Sequence, residues 1–293
     1  MPLMDKVNQR MRLKNGRQLG FAEFGDPGGV PLVYFHGWPS CRLEAEALDT
    51  MCAEMRIRVI APDRPGLGLS EFQPARKLVD FPADVMELCA NLGISRFAVM
   101  GVSGGGPYAL SCARQLREHL SAALVVCGVG PADAPGATRE MVMINRCLLW
   151  LARRVPKVAQ LIAGSAMAMV WKKGNQALPR HIEVRLPPAD REALKSEKLR
   201  RILTAASSEA MRNGARGPAA DGLIYGRPWG FELNEIKAPV FLWHGEADVI
   251  VPAAMGHFLA EQIPGCIARF YPKDGHFSLP FEKGREILSV SLE

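Results

Sequence analysis

The sequence lacks the patterns that mark several large classes of protein. Its seven cysteines form no C-x-x-C pair, and no Cys/His cluster has the spacing of a zinc site. An odd number of scattered cysteines excludes a disulfide scaffold and indicates buried thiols in a reducing compartment. The composition is that of an ordinary globular protein, with 48% hydrophobic and 23% charged residues, which excludes collagen-like, coiled-coil and disordered chains.

Long apolar runs are also missing. The uncharged stretch Val158 to Trp171 has 14 residues, which is too short for a helix that spans a bilayer. Met1 to Lys14 has no continuous apolar region of the kind found in a secretory signal. We therefore expect a soluble, cytoplasmic protein with no integral membrane segment.

A strong charge of one sign is absent as well. The 36 basic and 30 acidic side chains leave a net charge of +6, with no dense basic stripe, so we expect no nucleic-acid partner. The excess is concentrated in residues 131–215, which hold 15 Lys and Arg against 7 Asp and Glu. The remaining residues are close to neutral, so the two parts of the chain differ in character. No oligomeric state follows from these features.

The 293 residues alternate between short β-type runs and helical stretches. This alternation predicts a doubly wound, mostly parallel α/β sheet. The predicted strands are Arg17–Phe24, Pro31–Phe35, Ile57–Ala61, Phe97–Val102, Ala122–Cys127, Val240–Trp243 and Ala268–Tyr271, and the predicted helices are Cys41–Met55, Phe81–Leu92, Gly105–His119, Ala253–Gln262 and Phe281–Leu288. Residues 131–215 interrupt the pattern with a helical, Met-rich insert. We therefore predict a core domain of residues 1–130 and 216–293 with a helical cap of residues 131–215.

The segment after the strand Phe97–Val102 carries the clearest chemical signal. It reads G-x-S-x-G, with Ser103 at the centre between Gly101 and Gly105, and a helical stretch follows at once. A serine on a tight strand-to-helix turn projects its hydroxyl clear of the sheet, and its glycine neighbours avoid steric clashes. Ser103 is therefore the predicted nucleophile.

Serine needs a base that is held by a third group, and two later loops supply both. Asp248 follows one buried strand and His276 follows the last strand, which gives the chain order Ser…Asp…His. His276 is the predicted general base and Asp248 the residue that fixes its tautomer. Three other carboxylates compete with Asp248 for this role, namely Asp133, Glu246 and Asp274. His36 and His244 each precede a glycine at a strand end and are expected to organise loops.

An oxyanion hole requires two preorganised donors. The backbone N–H of Gly104, directly after the nucleophile, is one candidate. The loop His36-Gly37-Trp38-Pro39 should supply the other. Trp38 is favoured, because Gly37 supplies backbone freedom and Pro39 has no N–H.

These motifs together resemble the α/β-hydrolase fold family. The resemblance covers residues 32–280 and includes the segment from Asp63-Arg64-Pro65-Gly66 to Ser70. It implies an eight-stranded, mostly parallel sheet with a helical cap over the site, and it assigns Asp63 and Arg64 to a loop-structuring motif. It implies no cofactor and no metal.

Departures from family members narrow the expected chemistry. Haloalkane dehalogenases and epoxide hydrolases have Asp where this chain has Ser103, and proline iminopeptidases usually have Trp where it has Gly104. We expect a serine hydrolase acting on a small, largely apolar ester or thioester. C–C bond or lactone hydrolysis, cofactor-free peroxidase activity and a non-catalytic receptor remain alternatives.

The cap segment Met141 to Trp171 and the lysines that follow it mix apolar and Met side chains with basic ones. The basic residues are Arg146, Arg153, Arg154, Lys157, Lys172 and Lys173. An ordinary helical pair with one solvated face explains this pattern. An apolar acyl pocket under a basic rim is the alternative explanation and would suit a substrate that is anionic at one end. Weak peripheral contact with a membrane is a further possibility.

Overall fold

Eight strands form a single sheet in the computed structural model, which describes residues 6–138, 143–155, 157–159, 161–162, 164–165 and 184–292. The strands are β1 Gln9–Arg12, β2 Gln18–Gly25, β3 Val30–Phe35, β4 Ile57–Pro62, β5 Phe97–Val102, β6 Leu120–Val126, β7 Val240–Gly245 and β8 Ile267–Tyr271.

The strand order is β1-β2-β4-β3-β5-β6-β7-β8. The pairs β1/β2 and β2/β4 are antiparallel, and every other pair is parallel. The predicted eight-stranded, mostly parallel sheet is thus confirmed. Because β5, β6, β7 and β8 are adjacent and parallel, the loops that follow them all leave from one edge of the sheet, where sites of such sheets form.

Ten α-helices have both of their bounds within the described residues. They are α1 Asp49–Glu54, α2 Phe81–Asn91, α3 Gly106–Gln115, α4 Met143–Arg154, α5 Pro188–Ala193, α6 Glu197–Ala210, α7 Arg216–Tyr225, α8 Ala253–Gln262, α9 Leu279–Glu282 and α10 Gly284–Ser289. Within the same residues, no helix combines the length and apolar character needed to cross a membrane.

The central strands of the sheet are buried on both faces, as their apolar sequences predict. In β5, Phe97 and Val99 belong to one hydrophobic cluster, whereas Ala98 and Met100 belong to the cluster on the opposite face. All four are at most 1% exposed. Side chains alternate between the two faces of a strand, so a continuous apolar run is what a central strand of a helix-covered sheet requires.

The structure corrects several element boundaries. The predicted helix Cys41–Met55 is divided into a 3-10 helix, Arg42–Leu48, and α1, and the predicted last helix is divided into α9 and α10. The helix predicted to reach His119 ends at Gln115. Strand β1 was not predicted, because its four residues are polar apart from one methionine and lie at the sheet edge.

The insert lies between β6 and β7, and α4, α5 and α6 belong to it. The exact limits of the cap stay a prediction. Six residues of the predicted acyl pocket and its basic rim lie outside the described residues, namely Met141, Met167, Met169, Trp171, Lys172 and Lys173.

Candidate active site

Ser103 occupies a sharp turn between β5 and α3. Its φ is +54°, a left-handed conformation that is rare for a residue with a side chain. The residue opens a short 3-10 helix, Ser103–Gly105, that leads directly into α3. Its backbone carbonyl accepts a hydrogen bond of 3.0 Å from the N–H of Val129, which lies just beyond β6. The strand–turn–helix context expected for Ser103 is therefore present, with strained backbone at the predicted nucleophile.

The two glycines of the motif are required by close backbone approach. A Cβ on Gly101 would collide with the Gly105 carbonyl oxygen, and a Cβ on Gly105 would collide with the Phe35 carbonyl oxygen at the end of β3. Any side chain at either position would push the turn away from the neighbouring strand. The G-x-S-x-G spacing thus follows from how tightly the turn packs.

His276 and Asp248 are hydrogen-bonded to each other. The His276 Nδ1 lies 2.7 Å from the Asp248 Oδ2, and both residues are buried. The other carboxylate oxygen of Asp248 accepts hydrogen bonds of 2.8 Å from the N–H groups of Ile250 and Val251. Because an ionised carboxylate only accepts, Nδ1 is the donor and Nε2 is left as the basic nitrogen.

Electrostatics favour the ionised pair. Burial alone would raise the pKa of Asp248, but the charge and hydrogen bond of His276 hold that pKa below its ordinary value. Burial alone would lower the pKa of His276, but the Asp248 carboxylate raises it above the ordinary value for histidine. The Asp248 charge thus stabilises a protonated His276.

The three competing carboxylates have other surroundings. Asp133 is 51% exposed and pairs with Arg153 at 3.0 Å. Glu246 pairs with the exposed His257 at 3.0 Å. Asp274 is buried, and its backbone carbonyl accepts from the Ala247 N–H. Of the four candidates, the structure pairs Asp248 with the imidazole.

The loop after β3 lies beside Ser103. A Cβ on Gly37 would stand 3.6 Å from the Ser103 Cβ, and a Cβ on Gly104 would stand 3.0 Å from the Trp38 Cβ. The Gly37 N–H donates to Glu44 Oε1 at 2.8 Å, so it is already engaged. Since Pro39 has no N–H, the N–H of Trp38 stays the predicted donor of this loop.

Two residues that the sequence analysis missed surround this loop. Glu44 accepts from the Gly37 N–H and, at 2.7 Å, from the Tyr34 hydroxyl. The hydroxyl of Tyr225 would be only 2.5 Å from a Cβ on Gly104, so a side chain after Ser103 would displace Tyr225. Neither residue belongs to a local motif, and no sequence signal identified them.

Three residues expected to shape loops, namely His36, Asp63 and Arg64, lie in or beside the loop after β3. Asp63 accepts from the Arg42 N–H at 2.7 Å and the Leu69 N–H at 2.8 Å. The Arg64 guanidinium donates to the carbonyl oxygens of His36 and Gly37, the latter at 2.8 Å. These are backbone contacts, of the kind that shape loops. His244 also contacts backbone, with its Nε2 2.9 Å from the Val251 carbonyl oxygen.

The buried carboxylate of Asp221, on α7, anchors Arg64. Its Oδ2 accepts from Arg64 at 2.8 and 3.0 Å and from the Tyr225 hydroxyl at 3.2 Å. Its Oδ1 accepts from the Tyr108 hydroxyl at 2.6 Å and from Arg76. Burial alone would raise the pKa of Asp221, but the two guanidinium groups hold it well below its ordinary value. Asp221 is therefore ionised and is the counter-charge that two buried cations share.

One group of possible metal ligands occurs within the described part of the chain. The Cys127 Sγ and the ligand atoms of Asp248 and His276 lie within 4.8 Å of one another. Two of these atoms are hydrogen-bonded to each other, so a cation placed here would have to replace that bond.

We predict that Asp221→Asn strongly destabilises the protein. The substitution leaves the buried guanidinium groups of Arg64 and Arg76 without a counter-charge, which costs about 3–5 kcal/mol for a broken buried pair. Denaturant unfolding measures the loss. The control is Glu235→Gln, which breaks the partly exposed pair with Arg114 and should cost at most about 1 kcal/mol. Equal losses in both variants would contradict the structural role of Asp221.

Comparison with known proteins finds similarity over most of the chain. Residues 30–283 match the family model described as alpha/beta hydrolase fold. The pimeloyl-[acyl-carrier protein] methyl ester esterase of Nitrosomonas europaea is 24% identical over 258 residues, which cover 85% of this chain and 89% of that protein. This relative supports the expected enzyme class, an esterase-like hydrolase.

Solved structures of low sequence identity share the fold. An esterase from Exiguobacterium antarcticum aligns with a TM-score of 0.64 at 15% identity, covering 97% of this chain and 98% of that one. The epoxide hydrolase CorEH aligns with a TM-score of 0.69 at 20% identity, covering 98% and 97%. With the family match extending over residues 30–283 and the same sheet present, the chain belongs to the alpha/beta hydrolase fold family.

Proposed function

We propose that this protein is a serine hydrolase that cleaves a carboxylic ester or thioester of a small, largely apolar substrate through an acyl-enzyme. The observation that carries the proposal is the buried His276–Asp248 hydrogen bond on the sheet edge from which Ser103 also projects. Ser103 follows β5, Asp248 follows β7 and His276 follows β8. The strained backbone at Ser103 adds support, because such conformations cluster at functional sites.

In the proposed reaction, the Nε2 of His276 removes the proton of the Ser103 hydroxyl while the oxygen attacks the carbonyl carbon. The negative charge that develops on the carbonyl oxygen is stabilised by the N–H groups of Trp38 and Gly104. His276 then returns the proton to the departing alcohol or thiol. A water molecule repeats the sequence on the acyl-enzyme and releases the acid.

The Glu44 carboxylate limits where a substrate can carry a negative charge. Its Oε1 is engaged by Gly37 and Tyr34, and its Oε2 would lie 3.3 Å from a Cβ on Gly37, next to Ser103. A negative charge at this place opposes a second negative charge close to the reacting carbonyl. If the substrate is anionic, its charge therefore belongs at the far end, toward the basic insert.

Labelling with a fluorophosphonate probe tests the nucleophile. Wild-type protein should label on Ser103, and Ser103→Ala should lose labelling together with about 10³-fold or more of its ester hydrolysis rate, because no acyl-enzyme forms. Ser95→Ala, which removes the hydroxyl of an exposed serine, is the control and should behave as wild type. A Ser103→Ala variant that keeps full turnover would show that the acyl-enzyme assignment is wrong.

The pH dependence of kcat/KM tests the base. The acidic limb should lie above pH 6.5, the ordinary pKa of histidine. Burial lowers the His276 pKa, but the charge and hydrogen bond of Asp248, together with the charges of Asp190 and Glu44, raise it by more. The neighbouring titratable groups are His244 and Cys127.

In Asp248→Asn that charge is lost, so the limb should move to lower pH and the plateau should fall by about 10³–10⁴-fold. Glu246→Gln, on the same loop but paired with an exposed histidine, should leave both unchanged. An unshifted limb in Asp248→Asn would contradict the assignment.

A substrate panel separates the possible reactions. We expect turnover of p-nitrophenyl esters to rise with the apolar character of the acyl group and to exceed turnover of lactones and 1,3-diketones. Esters with a distal carboxylate should gain over neutral ones at low salt and lose the gain at high salt, because a basic rim acts through screened charges. Preferred cleavage of a diketone or lactone would replace the ester assignment with the corresponding alternative. If turnover depends neither on the charge of the ester nor on the salt concentration, the basic rim does not take part in substrate binding.

A further inference from the structure

Asp190 belongs to the insert, yet its side chain is bound to the loop that carries His276. It lies in α5, and it is completely buried. Its Oδ2 accepts from the His276 N–H at 2.9 Å. Its Oδ1 accepts from the N–H groups of Phe277 at 3.0 Å and Ser278 at 2.9 Å, and from the Ser278 hydroxyl at 2.9 Å. One carboxylate therefore satisfies three consecutive backbone donors.

This arrangement is unusual for a buried acid. Burying a carboxylate is costly unless the charge is compensated. Here N–H and O–H groups provide the compensation, in charge-assisted hydrogen bonds of the strong kind. Such bonds fix the position of the residues that make them, and the first of these residues is His276.

Gly275 provides independent evidence that the contact shapes the loop. A Cβ at this position would collide with the Asp190 Oδ2. The Ser278 hydroxyl also accepts from the Gly275 N–H at 2.9 Å, so the loop is tied both to itself and to Asp190. The glycine before His276 is therefore explained by the approach of a carboxylate 85 residues earlier in the chain.

We propose that Asp190 is a positioning residue for His276: its carboxylate holds the backbone of residues 276–278 and thereby couples the insert to the geometry of the catalytic base. This inference rests on the proposed function in so far as His276 is the base. In the proposed reaction Asp190 touches neither the substrate nor the reacting atoms, and it acts through the histidine loop. A movement of α5 would therefore change the position of His276.

Hydrogen exchange tests the contact without any substrate. In Asp190→Asn, the amides of residues 276–278 should exchange about tenfold faster or more than in wild type, because the charged acceptor that protects them is lost. The matched control is Glu192→Gln on the same helix, where the exposed carboxylate pairs with Lys195. Unchanged exchange in Asp190→Asn would overturn the proposal, whether or not the protein hydrolyses esters.

Ester kinetics then test the consequence for His276. Asp190→Asn should lower kcat by about 10- to 100-fold, as expected for a displaced catalytic group, while KM changes by no more than about twofold. Burial lowers the pKa of His276, whereas Asp248 and, to a smaller extent, the charge of Asp190 raise it, so the acidic limb of kcat/KM should move to lower pH when that charge is lost. Both should stay at wild-type values in Glu192→Gln. A loss of kcat with an unshifted limb would reduce Asp190 to a structural role and overturn the proposal.

Ser278→Ala provides a second variant if Asp190→Asn fails to fold. It removes one of the four hydrogen bonds to Asp190 and should show the same changes at smaller size. Wild-type exchange and kinetics in this variant would count against the proposal. If wild type hydrolyses no ester while exchange still responds to Asp190→Asn, the proposed function fails and the contact between Asp190 and the loop stands.

Discussion

The geometry around Ser103 depends on one buried carboxylate, that of Asp221. It is the shared counter-charge of Arg64 and Arg76, and Arg64 in turn donates to the carbonyl oxygens of His36 and Gly37. Three segments that are far apart in sequence are thereby locked together: α7, the loop after β4 and the loop after β3. Two buried guanidinium groups around a single carboxylate are tolerated only because nearly every donor has an acceptor, and any displacement of α7 would leave a buried charge unpaired. The predicted oxyanion loop is held in place by these contacts.

The insert and the segment that follows it are also part of the site. Asp190 on α5 fixes the backbone next to His276, while Tyr225 on α7 closes the space above Gly104. The Trp38 indole donates to the Pro218 carbonyl at 2.8 Å, so the oxyanion loop is bonded to the same helix. The chain between β6 and β7 therefore supplies groups that bind the loop of His276 and the predicted oxyanion loop.

Much of the fold and the core of the site follow from local sequence. β5 and the turn at Ser103 could be predicted because an apolar run, two glycines and a helix start are adjacent in the chain. The loops of Asp248 and His276 follow from their place after buried strands. Glu44, Asp190, Asp221 and Tyr225 could not be found in this way. Each of these residues contacts partners that are distant in sequence and become its neighbours only in the folded chain. From the sequence alone, a carboxylate outside any local motif is expected to lie on the surface.

Two glycines beside the proposed catalytic residues nevertheless indicate where distant residues pack against the site. Gly104 replaces the side chain usual after the nucleophile in some family members, and Tyr225 occupies the space that it would fill. Gly275 leaves room for Asp190 in the same manner. Neither glycine has a positive φ that would require it, so the reason is steric rather than conformational. A glycine in a catalytic motif that the backbone does not demand therefore points to a second residue, from elsewhere in the chain, that packs against the motif.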